Sequence, residues 1–206
     1  KENVIGGYNL SCIGDERQYS CMFSKYQNSP SDEAIIEAYR LLKIKNYKVY
    51  SFLKRGSDER QYNSPGIDLK ISSIFRTKYG EYPEYHTSLD NLDFVNGSQL
   101  LESFSLYCDV ATILDENRCY RSTAPYGEPQ LSRRKLYPSI GGGLNQKDNT
   151  ENTPNLENEI DVITWLLFTA DGEQDLLSVA NRSSIEFSKL QIVAEKLTQD
   201  GLLESA

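Results

Sequence analysis

Between Tyr120 and Asn155 the chain loses every regular hydrophobic period, and that break limits it to two folded pieces joined by a polar connection. Proline, glycine, serine and asparagine accumulate there, with Gly141-Gly142-Gly143 and the polar run Asn145 to Pro154 at its centre. Such a stretch buries too little apolar surface to offset the entropy of ordering it, so it reads as a linker. The expected organisation is an α/β portion over 1–120, a linker over 121–155 and a small helical domain over 156–206. With 206 residues, the chain is long enough for one substantial core and a small second one.

Before the break the periods alternate. Tyr8 to Ile13 is rich in apolar and β-tolerant residues and is closed by Gly14, which predicts a buried strand. Ser31-Asp32 is a helix start, and Ile35, Ile36, Tyr39 and Leu42 follow at helical spacing over Glu33 to Leu42. Tyr47 to Leu53 and Ile67 to Phe75 read as strands, separated by the breaker at Gly56 and the turn Asn63-Ser64-Pro65-Gly66. Ser98 to Leu114 carries Leu100, Leu101, Phe104, Tyr107, Cys108 and Ile113, the pattern of an amphipathic helix. This order fits a sheet with helices packed on it. After the break, helical patterns cover Leu156 to Ala170, Asp175 to Ala180 and Ser184 to Gln199, and Gly201-Leu202-Leu203 follows. Three short helices and a small apolar strand give the layout of a winged helix. Its apolar residues, among them Trp165, Phe168, Leu190 and Ile192, exceed what three short helices bury among themselves. The surplus predicts packing on another domain or on a second copy.

Charge narrows the partners. The chain carries a formal net charge of -8. From residue 155 onward ten acids face only Arg182, Lys189 and Lys196, a net of -7. The candidate recognition helix sets Lys189 and Lys196 against Glu186 and Glu195, so a phosphate backbone would be repelled and no nucleic-acid partner is expected. No apolar run approaches the roughly 20 residues that span a bilayer, so no membrane partner is expected either. Cys12, Cys21, Cys108 and Cys119 form no C-x-x-C pair and are too sparse for a disulfide scaffold, which predicts a reduced, cytoplasmic protein. The start at Lys1, directly in strand-like sequence, reads as a segment of a longer polypeptide.

Two features carry chemistry. His86 is the chain's only histidine, in Tyr82-Pro83-Glu84-Tyr85-His86-Thr87-Ser88-Leu89-Asp90; it follows a proline-containing loop, is flanked by acids, and is the one nitrogen ligand available to zinc. The pentapeptide Asp-Glu-Arg-Gln-Tyr occurs at 15–19 and again at 58–62, each copy after a strand and a glycine. Both copies would put an acidic pair at the carboxyl end of a strand, where open α/β sheets place ligand sites.

Tyr85-His86-Thr87-Ser88-Leu89-Asp90 resembles the last ligand motif of M28-type co-catalytic zinc aminopeptidases, in which the histidine is the final zinc ligand. Gly56-Ser57-Asp58-Glu59-Arg60-Gln61-Tyr62 is similar to that family's Ser-Asp-His-x-x-Phe loop, with Glu59 where the family has histidine. Gly7 to Asp15 lies where the family has a strand ending in an aspartate that binds or supports metal. Arg55 to Tyr62, Ser64 to Asp68, Lys78 to Asp90, Gly127 to Gln130 and Leu136 to Pro138 look like signatures of bacterial aminopeptidase-like proteins of the DUF4910/DUF2172 type, over nearly the whole chain. The resemblance implies a mixed-sheet zinc-aminopeptidase (phosphorylase/hydrolase-like) core followed by a winged helix, and a small peptide or amide substrate. It implies His86 and Asp15 as zinc ligands. Asp58, Arg60, Tyr62, Arg76 and Tyr85 would surround the substrate or support the ligands, with Lys78 beside them. A catalytic zinc needs three protein ligands and an open position, so the remaining ligands and the general base are expected upstream of this chain. The competing readings are a non-catalytic metal- or ligand-binding assembly protein of the same fold and a winged-helix regulator.

Overall fold

A computed structural model describes residues 2–134, 136 and 156–206, with 156–158 as backbone alone. It divides into two compact units, Lys1–Glu116 and Asn117–Ala206. The central glycine and asparagine run of the expected linker lies outside the described residues.

The first unit is built on a mixed four-stranded sheet. Strands β1 (Gly7–Leu10), β2 (Tyr19–Met22), β3 (Tyr47–Tyr50) and β4 (Ile71–Phe75) lie in the order β1-β4-β2-β3. β1 runs parallel to β4, β2 antiparallel to β4, and β3 parallel to β2. One face carries α1 (Pro30–Leu41) and α3 (Gly97–Glu116), which pack on each other. The Ser72 hydroxyl donates to Asp32 of α1 at 2.6 Å, which turns Ser72 and Ile74 toward the helices and Ser73 and Phe75 to the opposite face. There Met22, Tyr50 and Phe75 form a second cluster, completed by Phe52 and Tyr79. A short helix, α2 (Glu59–Tyr62), lies against β4.

Helix α1 starts earlier than its sequence suggests. Ser29, not Ser31, is the cap, and Asp32 returns a bond to its backbone in a capping box. Pro30 explains the shift: a residue with no N–H is favoured in the first helical position, where that N–H would be unpaired.

The second unit contains α4 (Leu156–Thr169), β6 (Asp171–Asp175), α5 (Leu176–Ser183), α6 (Phe187–Gln199) and β7 (Leu203–Ser205). Its central strand is β5 (Cys119–Ser122), paired antiparallel with β6 and β7. The boundary therefore falls at 116/117 rather than 120, and the described part of the expected linker is built into this unit through β5 and a 3-10 turn at Leu131–Arg134. Two corrections follow. The unit's charge includes Arg118, Arg121, Arg133 and Arg134; nine bases against thirteen acids over 117–206 give -4. The apolar surplus also largely disappears, because Leu176, Leu177, Phe187, Leu190, Val193, Leu197, Leu202 and Leu203 are all buried. Phe168 and Ile192 remain exposed, at 75% and 67%.

Candidate active site

Because β1 and β4 are parallel neighbours in register from Gly7↔Ile71 to Leu10↔Ile74, their carboxyl ends emerge side by side. After β1 the chain bends through Cys12, which holds φ 52, and reaches Gly14 and Asp15. A Cβ on Gly14 would sit 2.4 Å from Val95 Cγ1, so only glycine lets the loop after β4 lie this close. Asp15 is 2% exposed. Its carboxylate accepts from the Thr77 N–H at 2.8 Å, the Thr77 hydroxyl at 2.6 Å and the Arg17 N–H at 3.0 Å. Asp15 thus braces the exit of β1 against the exit of β4. Arg76 completes the brace: its Nε donates to the Asp15 carbonyl at 2.9 Å, its guanidinium pairs with Glu102 at 3.2 Å, and it lies 3.9 Å over the Tyr19 ring. Buried and fully engaged, Arg76 is a strut in this arrangement.

Residues 76–96 form an aromatic loop over these strand ends. Tyr82 stacks on Phe94 at 5.1 Å and meets Tyr85 edge-on at 5.6 Å. Arg17 clamps the loop, with its guanidinium on Glu84 at 2.8 and 3.0 Å and over the Phe94 ring at 4.7 Å. The Arg17 guanidinium holds the Glu84 carboxyl below the usual carboxylate range. A cavity of about 280 Å³ lies beneath, lined by Cys12, Asp15, Tyr82, Tyr85, Asp90 and Val95 among others. The Tyr82 hydroxyl sits between Cys12 Sγ at 3.6 Å and Asp90 Oδ2 at 3.4 Å; burial first, then these two neighbours, keep it protonated. His86 adopts φ 59, and its ring stacks on Tyr85 at 4.0 Å and 18°. The imidazole is exposed, and neither ring nitrogen has a protein hydrogen-bond partner among the described residues.

The second pentapeptide is placed differently. β3 runs antiparallel to β4, by way of β2, so the strand that precedes this copy ends at the amino edge of β4 and not at its carboxyl edge. Asp58, Arg60 and Tyr62 are exposed, and none of them lines the cavity. The residue that matters structurally is Glu59, 1% exposed. Its Oε1 accepts from the Gly56 N–H at 2.9 Å, the Ser57 N–H at 3.0 Å and the Tyr79 hydroxyl at 2.7 Å, and its Oε2 from Asn9 at 2.7 Å. Burial works to raise its pKa, but the donors from Ser57, Tyr79 and Gly56 outweigh it and hold the carboxyl below its usual range. Nearby, burial pushes the Lys78 ammonium below the ordinary lysine range; it donates to the Tyr79 carbonyl at 3.1 Å and lies 3.8 Å over that ring. The sequence carries no local signal for the pairing of Thr77 with Asp15 or for the burial of Glu59.

Among the described residues, no three His, Cys, Asp or Glu side chains gather closely enough to hold a metal ion. Asp15 Oδ1 accepts two hydrogen bonds and Oδ2 one. The two ring nitrogens of His86 have no protein partner among the described residues. A larger cleft, about 690 Å³, lies within the second unit between Arg121–Pro129 and the end of α4. Its ionisable lining is Arg121, Glu128 and Asp171, beside Pro125, Leu167 and Phe168, with no imidazole or thiol to do chemistry.

Similarity to known proteins follows this division. A protein of Clostridium acetobutylicum named "Putative polysaccharide biosynthesis protein with aminopeptidase-like domain" is 33% identical over 203 residues, covering 98% of this chain and 44% of the relative. A crystal structure of a "putative peptidase" from the same organism superposes with a TM-score of 0.78 at 30% identity, covering all of this chain and 43% of that one. The chain thus spans less than half the length of the proteins it matches. Residues 118–205 match a winged helix-turn-helix family. Residues 1–117, more than half of the chain, match the domain of unknown function DUF4910, and the chain belongs to that family.

Proposed function

We propose that this chain is part of a peptidase-like hydrolase that cleaves a small peptide or amide. The observation that carries the reading is His86: an exposed imidazole with both nitrogens open, pinned on Tyr85 beside a cavity where β1 and β4 end. Carboxyl ends of strands are where open α/β sheets bind ligands, and the related proteins carry peptidase names. In this reading His86 is one ligand of a zinc ion whose other ligands lie outside the described residues. Asp15 and Arg76 brace the strand ends behind it, while Tyr82, Tyr85 and Asp90 line the substrate pocket. A bound zinc would act as a Lewis acid on the scissile carbonyl. The described residues supply too few ligands for a zinc-dependent step to be assigned to them.

The winged-helix unit is proposed as a protein-interaction module, with a second copy as one partner. On helix α6 each cation has an acid beside it, Glu186 at 3.9 Å from Lys189 and Glu159 at 2.5 Å from Lys196. The test is elemental analysis of the full-length protein together with a screen of aminoacyl amides. Stoichiometric zinc and amidase activity, both lost in His86→Ala, are the expected result. Zinc without turnover of any amide would favour the non-catalytic assembly reading. A metal content untouched by His86→Ala would end the assignment of His86.

A further inference from the structure

Glu59 is a buried carboxylate with four hydrogen bonds and no cation within salt-bridge distance among the described residues, an arrangement costlier than a surface acid needs. Its four donors come from three separate places: the turn at Gly56 and Ser57, Asn9 of β1, and Tyr79 of the loop after β4. Gly56 is part of the device, since a Cβ there would lie 2.9 Å from Tyr79 Cε2 and push the phenol away. Tyr79 is fixed in turn, edge-on to Phe75 at 5.5 Å. Its hydroxyl stays protonated, through burial first and the Glu59 carboxylate second. From Tyr79 the contacts continue to Tyr85, with ring centroids 6.4 Å apart, and from Tyr85 to the His86 ring at 4.0 Å.

We infer that Glu59 and Tyr79 are positioning residues: the carboxylate anchors the Tyr79 phenol, which backs Tyr85 and so sets the orientation of the His86 imidazole. The exposed face of the same motif, Asp58 and Arg60, takes no part. This rests on the reading of His86 as the working group of the site, but its test needs neither metal nor turnover. His86 is the only histidine, so its ring carbon-bound protons give two unambiguous NMR signals, shielded by the Tyr85 face. Tyr79→Phe, which removes one hydroxyl, is expected to move both signals downfield at temperatures far below unfolding. Glu59→Leu should do so more strongly, Glu59→Gln should keep most of the wild-type shift because its carbonyl still accepts, and Asp58→Ala should leave it unchanged. Should Glu59→Leu fail to fold, Tyr79→Phe still decides. If Tyr79→Phe lowers the melting temperature while the His86 signals stay in place, the pair is merely structural and the inference is overturned. Absence of zinc from the full-length protein would undo the zinc reading and leave this result standing.

Discussion

The same five residues, Asp-Glu-Arg-Gln-Tyr, occur twice in the first unit and fold into two different structures. At 15–19 the copy bends at Glu16 and Arg17 and runs into β2 (Tyr19–Met22); at 58–62 it forms the helical turn α2 (Glu59–Tyr62). In the first copy the aspartate is buried and the glutamate exposed, and in the second the burial is reversed. Asp15 finds Thr77 at the end of β4, whereas Glu59 finds Tyr79, Asn9 and its own turn. Identical local propensities thus yield to whichever long-range donors each carboxylate meets, because a buried charge is tolerated only where its hydrogen bonds are made.

That comparison can be broken most readily at Asp15. Asp15→Ala leaves the Thr77 N–H, the Thr77 hydroxyl and the Arg17 N–H without their acceptor, and should cost about 3 kcal/mol in denaturant unfolding. Its partner in sequence, Glu16→Ala, should stay within about 0.5 kcal/mol, as surface changes do. Equal effects from the two would show that the copy is not sorted by burial.

In the second copy the order should invert. Glu59→Leu is expected to destabilise by about 2 kcal/mol through unpaired donors, against about 0.5 kcal/mol or less for Asp58→Ala. A larger loss from Asp58→Ala would mean that the helical copy is anchored by its exposed acid.

Acid titration sharpens the contrast without any loss of side-chain volume. The Glu59 carboxyl is depressed in the folded state, so its stabilisation is complete above the ordinary glutamate value and fades as pH falls through the folded one. Wild type should therefore lose stability below about pH 4.5 more steeply than Glu59→Gln. Parallel acid limbs in the two proteins, followed by circular dichroism, would assign the depression elsewhere.

The smallest effect belongs to the exposed arginine of the first copy. Arg17→Ala breaks the pair with Glu84 and should cost about 0.2–1 kcal/mol, a difference that shrinks as salt rises to about 1 M. A salt-independent loss would show that the stacking on Phe94 carries the contact.

How much of this was legible in the sequence depended on whether the signal was local. Helices α1, α3, α4 and α6 were readable because apolar residues at helical spacing mark the buried face directly. The winged helix was readable for the same reason, as three periodic runs and a terminal apolar strand. β2, β5 and β6 were not. β6 is Asp171-Gly172-Glu173-Gln174-Asp175, a strand with no apolar residue, held by pairing with β5. β2 is four residues long and hidden behind a pentapeptide that reads as loop.

The candidate site divides in the same way. The sequence by itself marked His86 as the lone imidazole in a motif of acids and aromatics, and it marked the twice-used acidic pentapeptide. Only the tertiary structure decided that Asp15 braces Thr77, that Arg76 is buried on Tyr19 and Glu102, and that Asp58, Arg60 and Tyr62 lie outside the cavity. Strand direction made that decision. With β1 and β4 parallel and β3 reversed, β1 delivers its motif directly at the carboxyl edge, whereas β3 ends at the amino edge and its motif meets the loop after β4 only through Glu59 and Tyr79. That choice depends on pairing between residues far apart in the chain, which no local pattern encodes.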